Sequence, residues 1–130
     1  MAYNFDTIAR TYDRLNRVMT LGLDRRWRKR AVKEIRHTPP ARWATSPNLG
    51  EEWARASVLD VACGTGDMVV ELMKHGCKVT GIDLSEEMLA IARQKTAADV
   101  RVANAEVLPF ADSEFDAVTR AFLARHVAHL

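Results

Sequence analysis

Between Val58 and Gly66 the chain reads Val58-Leu59-Asp60-Val61-Ala62-Cys63-Gly64-Thr65-Gly66, an apolar run that ends in an acid and then in a glycine turn. Seventeen residues past Gly64 stands Gly81-Ile82-Asp83. A strand, a tight turn, a helix and a second strand closing on an acid make a βαβ unit, which commits the chain to an α/β fold with a parallel, Rossmann-like sheet. Glycine at the turn lets the backbone take positive φ and come close to a ligand. Asp83, at the tip of the second strand, is placed to accept hydrogen bonds from both hydroxyls of a ribose.

Two nucleoside ligands compete for such a turn. A dinucleotide site wants G-x-G-x-x-G so that a pyrophosphate sits on the helix N-terminus, but Val69 stands where the third glycine belongs. Asp60, just before the turn, repels a diphosphate and suits a ligand with a cationic amino group and a sulfonium. The pattern therefore points to S-adenosylmethionine, against the plainer reading of a parallel strand with an incidental glycine turn. Cys63 reads as a small residue lining the ligand loop rather than as a nucleophile.

One domain is expected from 130 residues, with no internal repeat and a net charge of +2 that argues against a dedicated nucleic-acid binder. No apolar run approaches the roughly 20 residues of a membrane span, and Asn4 and Asp6 do not suit a signal peptide. The expectation is a soluble, cytoplasmic protein. Two cysteines, Cys63 and Cys77, make no disulfide framework. His126 and His129 lack a carboxylate or cysteine to complete a metal set, so no metal is expected.

Apolar residues at Phe5, Ile8, Ala9 and Tyr12, then Leu15, Val18 and Met19, predict an N-terminal helix broken near Thr20-Leu21-Gly22. A second helix from about Asp24 carries Leu23, Trp27, Ala31 and Ile35 as an apolar stripe, with Arg25, Arg26, Arg28, Lys29 and Arg30 as a cationic face. Thr38-Pro39-Pro40 ends it. The chain thus divides into a helical segment 1–37, a connector 38–56 with Trp43, Trp53 and a helical turn at Glu51–Arg55, and a cofactor-binding portion 57–130. Within that portion strands are predicted at Val58–Val61, Lys78–Ile82, Val100–Ala103 and Phe115–Arg120. The helix from about Gly66 to His75 is stopped by Gly76, and the next is opened by Ser85 as N-cap with Glu86 and Glu87 in its first turn. Another helix begins at Ala121.

These residues resemble the class I S-adenosylmethionine-dependent methyltransferases, and within them the C-methyltransferases of menaquinone and ubiquinone biosynthesis. The N-terminal pattern is the discriminating part: Phe5-Asp6, Ile8-Ala9, Tyr12-Asp13, Asn16, Thr20, Gly22 and Trp27-Arg28. The resemblance implies that Asp60, Ala62, Gly64 and Gly66 contact the methionine part of the cofactor. Asp83 would hold the ribose with Leu84 beside the adenine, and Asn104-Ala105-Glu106 would read the adenine edge. Arg120 and Ala121 would face the methionine from the fourth strand. Arg125 would help a water remove the proton of a ring hydroxyl, with Tyr12, Asp13 and His126 as further acid–base candidates. Leu123 and His126 depart from the glycine and asparagine that the family commonly has.

Class I methyltransferases have a seven-stranded sheet ordered 3-2-1-4-5-7-6, and this sequence accounts for strands 1 to 4. An open apolar edge on a parallel sheet is an aggregation liability unless covered, so the expectation is a truncated chain that pairs as a homodimer or with a complementing partner. The basic run from Arg25 to Arg30 reads either as a solvated helix face or as a surface for anionic lipid, where a polyprenyl quinol would be met. Two functions are expected to compete: C-methylation of a quinol precursor or other small apolar acceptor, and a non-catalytic S-adenosylmethionine-binding subunit.

Overall fold

The computed structural model describes residues 9–19, 21–37, 39, 43 and 45–120. Helix α1 spans Ala9–Met19 and helix α2 Leu23–His37. They are joined by a turn in which Leu21 and Gly22 both take positive φ. Helix α3, Leu49–Trp53, lies two residues earlier than the expected turn, with Asn48 rather than Gly50 before its first residue. Then come β1 (Ser57–Val61), α4 (Asp67–Lys74), β2 (Lys78–Asp83), α5 (Glu86–Lys95), β3 (Asp99–Val102) and β4 (Ala117–Thr119).

All strand pairs are parallel and their order is β3-β2-β1-β4. Asp60 sits opposite Gly81 on one side and Thr119 on the other. Side chains alternate across a strand, so the two faces of the sheet build two cores. On one face Val58, Val79 and Val100 pack with Met68, Val69 and Leu72 of α4, Leu89 and Ala92 of α5, and Val32 of α2. On the other, Leu59, Val61 and Ile82 are covered by the segment after β3, where Phe110 and Phe115 meet edge to face at 5.0 Å. Trp43 and Trp53 also join the first core, edge to face at 5.4 Å, so the connector packs with α2 and the sheet helices.

Strand β4 is shorter than expected. The Ser57 N–H that would continue its ladder backwards is taken at 2.8 Å by the Asp116 carboxylate, and Phe115 instead turns inward to Phe110. The stripe assigned to α2 is also corrected. Ala31, Val32 and Ile35 pack inward, whereas Leu23 and Trp27 are exposed and Arg28, expected on the solvated face, is buried. The reason is electrostatic: the Arg28 guanidinium is bonded to Asp24 at 2.5 Å and Asp67 at 3.2 Å, so two carboxylates offset its desolvation. Phe5, Ile8, Thr20, Ala121, Arg125, His126 and His129 lie outside the described residues.

Candidate functional site

The site gathers at the carboxyl ends of β1, β2 and β4, where open α/β sheets place their ligands. After β1 the backbone takes positive φ at Ala62 (55°), Gly64 (55°) and Gly66 (84°). Alanine there is uncommon, and strain of this kind concentrates at ligand clamps. The two glycines differ. A Cβ on Gly66 would lie 3.0 Å from the Ala92 Cβ, so its absence lets α5 pack against the turn. A Cβ on Gly64 would meet nothing within 4 Å, leaving that side of the backbone open to a ligand.

Asp83 ties three pieces together. Its Oδ2 accepts from the Gly64 N–H at 2.8 Å and its Oδ1 from the Ser85 N–H at 2.9 Å, while the Ser85 hydroxyl caps α5 by accepting from Met88 N–H. An ionised carboxylate has about four acceptor positions, so Asp83 keeps room for the two hydroxyls of a ribose. Cys63 is buried beneath the turn, its Sγ against the space that a side chain on Gly81 would need, and burial pushes its thiol pKa up, away from a nucleophile's range.

Asp60 is 1% exposed and accepts a hydrogen bond from the Thr119 hydroxyl at 2.6 Å. Burial, reinforced by the nearby Asp83 charge and only partly offset by Thr119, raises its pKa to about 7. A buried acid with a second carboxylate nearby favours a cationic guest, because positive charge relieves both its desolvation and the repulsion.

Leu84, beside Asp83, is 69% exposed and offers an apolar surface at the strand tip. Asn104 folds back so that its Oδ1 accepts from the Glu106 N–H at 2.9 Å, while Ala105 packs beneath. Arg120 is exposed at the end of β4. The backbone of Tyr12 belongs to α1. Asp13 reaches the turn: its Oδ1 accepts from the Thr65 hydroxyl at 2.5 Å and its Oδ2 from the Lys95 ammonium. Thr65, Lys95 and Asp67 were not singled out from the sequence. Asp67 carried a signal, an acid at the first position of a helix following a glycine turn, but Lys95 and Thr119 are brought in by tertiary packing alone.

The ubiE/COQ5 methyltransferase family model matches residues 2–130. A ubiquinone/menaquinone biosynthesis C-methyltransferase of Geotalea daltonii is 42% identical over 95% of this chain and 50% of its own length. The demethylmenaquinone methyltransferase of Thermus thermophilus is 43% identical over 95% of this chain and 53% of its own. The chain thus spans about half the length of the curated relatives it matches. Among solved structures, DesVI of Streptomyces venezuelae superposes with a TM-score of 0.62 at 25% identity, covering 85% of this chain and 43% of that one. The YcgJ protein of Bacillus subtilis gives a TM-score of 0.55 at 26% identity, covering 58% and 35%.

Proposed function

The chain belongs to the ubiE/COQ5 methyltransferase family, and from that premise we propose that it binds S-adenosylmethionine at the β1–α4 turn and serves C-methylation of a quinol precursor such as demethylmenaquinol. The observation that carries this reading is Asp83 bonded to the N–H of Gly64, whose Cβ side is open, with the charge of buried Asp60 felt at the same strand ends. That pair of acceptors fits a nucleoside with a cationic tail. Asp83 would hold the ribose, Leu84 would carry the adenine, and Asn104, Ala105 and Glu106 would meet its edge. Asp60, Ala62, Cys63, Gly64, Gly66, Arg120 and Ala121 would surround the methionine portion.

When bound, S-adenosylmethionine would supply an electrophilic methyl on a positive sulfur, with a neutral thioether as the leaving group. The chain's own part is to keep that methyl and the ring carbon in line and to exclude water. Removing the proton of the neighbouring ring hydroxyl to water, helped by Arg125 with Tyr12, Asp13 and His126 as further candidates, raises the carbon's nucleophilicity; the proton on the methylated carbon then leaves to restore the aromatic ring.

A lipid-side location fits the same substrate class. No helix among the described residues is long and apolar enough to cross a membrane. Helix α1, helix α2 and the turn between them instead expose Leu15, Val18, Met19, Leu21, Leu23 and Trp27 beside the exposed Arg25, Arg26, Lys29 and Arg30. That chemistry suits peripheral contact with an anionic membrane surface.

The second reading is a cofactor-binding subunit that acts as a homodimer or with a complementing chain. Among the described residues β4 pairs on one side only, and Val118 on it is 58% exposed. Incubation with methyl-labelled S-adenosylmethionine and a short-chain demethylmenaquinol separates the two. Label on the ring carbon supports the methyltransferase; cofactor binding with no transfer from the chain alone supports the subunit.

A further inference from the structure

We propose that Lys95 is a positioning residue that latches helix α1 onto the glycine turn and thereby couples docking of that helix to occupation of the ligand site. An ammonium has three donors, and here all three are used: Lys95 Nζ meets Asp13 of α1, Asp67 Oδ1 at 2.9 Å and Thr65 Oγ1 at 3.2 Å. Thr65 closes the ring by donating to the other oxygen of Asp13. Both oxygens of Asp13 are therefore held, one by the cation and one by a residue of the turn itself. Asp67 extends the set, because its Oδ2 faces Arg28 at 3.2 Å and Arg28 also grips Asp24. The two N-terminal helices are thus fastened to the residues on either side of Gly66, α2 through Arg28 and α1 through Lys95.

The consequence is thermodynamic. Thr65 and Asp67 flank Gly66 and make these bonds with the backbone in its positive-φ turn, the turn that leaves Gly64 open to a ligand, so a change in that turn would move both partners of the latch. A ligand that favours this turn favours docked α1, and docked α1 favours the ligand by the same factor. This part of the inference rests on the cofactor reading above; the latch itself does not. Lys95 and Asp13 are partly exposed, and Lys95→Met leaves the Arg28 bridge to α2 in place.

Hydrogen exchange resolved by segment tests it. In the ligand-free chain, Lys95→Met is expected to speed exchange across α1 by about tenfold or more, the worth of charge-assisted hydrogen bonds, while α4 and β2 keep their protection. Lys95→Arg, which retains the charge, is expected to restore most of the α1 protection. S-adenosylhomocysteine should slow α1 exchange in the wild type and in Lys95→Arg but not in Lys95→Met, and should protect Gly81–Ser85 in all three. If Lys95→Met fails to fold, Asp13→Asn reads the same latch from the other end. Unchanged α1 exchange in Lys95→Met, or an equal loss of protection in α1, α4 and β2, overturns the latch. Absence of any protection by S-adenosylhomocysteine in the wild type overturns the cofactor reading instead, and the ligand-free exchange then decides the latch alone.

Discussion

Asp60 makes the stability of this molecule depend on pH in a direction opposite to that of most carboxylates. Its folded pKa is raised to about 7 from 3.8, so the folded form holds a proton that the unfolded chain releases. That contribution is fully present below about pH 4 and is lost as pH rises to about 7, an effect of order 4 kcal/mol. Asp60→Asn keeps an acceptor for Thr119 and removes the titration. The variant should therefore gain stability over the wild type on going from about pH 4 to about pH 8, read by urea unfolding at both. The neighbouring glycines separate stability from binding. Gly66→Ala sets a Cβ at 3.0 Å from Ala92 at φ 84°, and is expected to lower stability by about 1–3 kcal/mol. Gly64→Ala meets no atom within 4 Å, so its cost is confined to the strain of φ 55° and its larger effect should be on ligand affinity, measured by titration.

Among the elements, the βαβ core was legible because its signals are local. A short run of apolar residues around Asp60 before glycine, an N-cap serine at Ser85 and acids in the next turn fix strands and helices within a residue or two, and the Ser85 hydroxyl does accept from the Met88 N–H. Helix α2 shows where that legibility ends. The spacing of Leu23, Trp27 and Ala31 is equally consistent with a stripe that is buried throughout and one buried at only one end, and no local signal says that Asp24 and Asp67 will draw Arg28 inside. The site divides in the same way: Gly64, Gly66 and Asp83 announce themselves by spacing, whereas Lys95, Thr65 and Thr119 acquire their roles across 52 to 82 residues of separation from Asp13 and 59 from Asp60. Arg28→Met should cost about 3–5 kcal/mol by removing the buried guanidinium that faces Asp24, with Asp67 keeping Lys95, while the exposed Arg25→Ala should change stability by about 0.5 kcal/mol or less. Thermal or urea unfolding of the two variants reads the difference.

At the scale of the whole molecule, the parallel order β3-β2-β1-β4 of the described residues and the family match agree on a Rossmann-like methyltransferase sheet. Among the molecule's exposed apolar side chains, one group lies on α1, α2 and the turn between them, and Val118 lies on β4. Vesicles rich in anionic lipid should bind the chain through the first of these, with affinity falling as salt shortens the screening length. Leu23→Asp and Trp27→Asp together should abolish that binding; association indifferent to salt, lipid charge and both substitutions would contradict it. The cofactor site is tested most directly by calorimetric titration of S-adenosylhomocysteine into the wild type and into Asp83→Ala. Saturable binding to the wild type, weakened by about 1.5–3 kcal/mol in the variant, is the expected result. Equal affinity in the two proteins, or no binding to either, would contradict the assignment of the β1–α4 turn and Asp83 as the cofactor site.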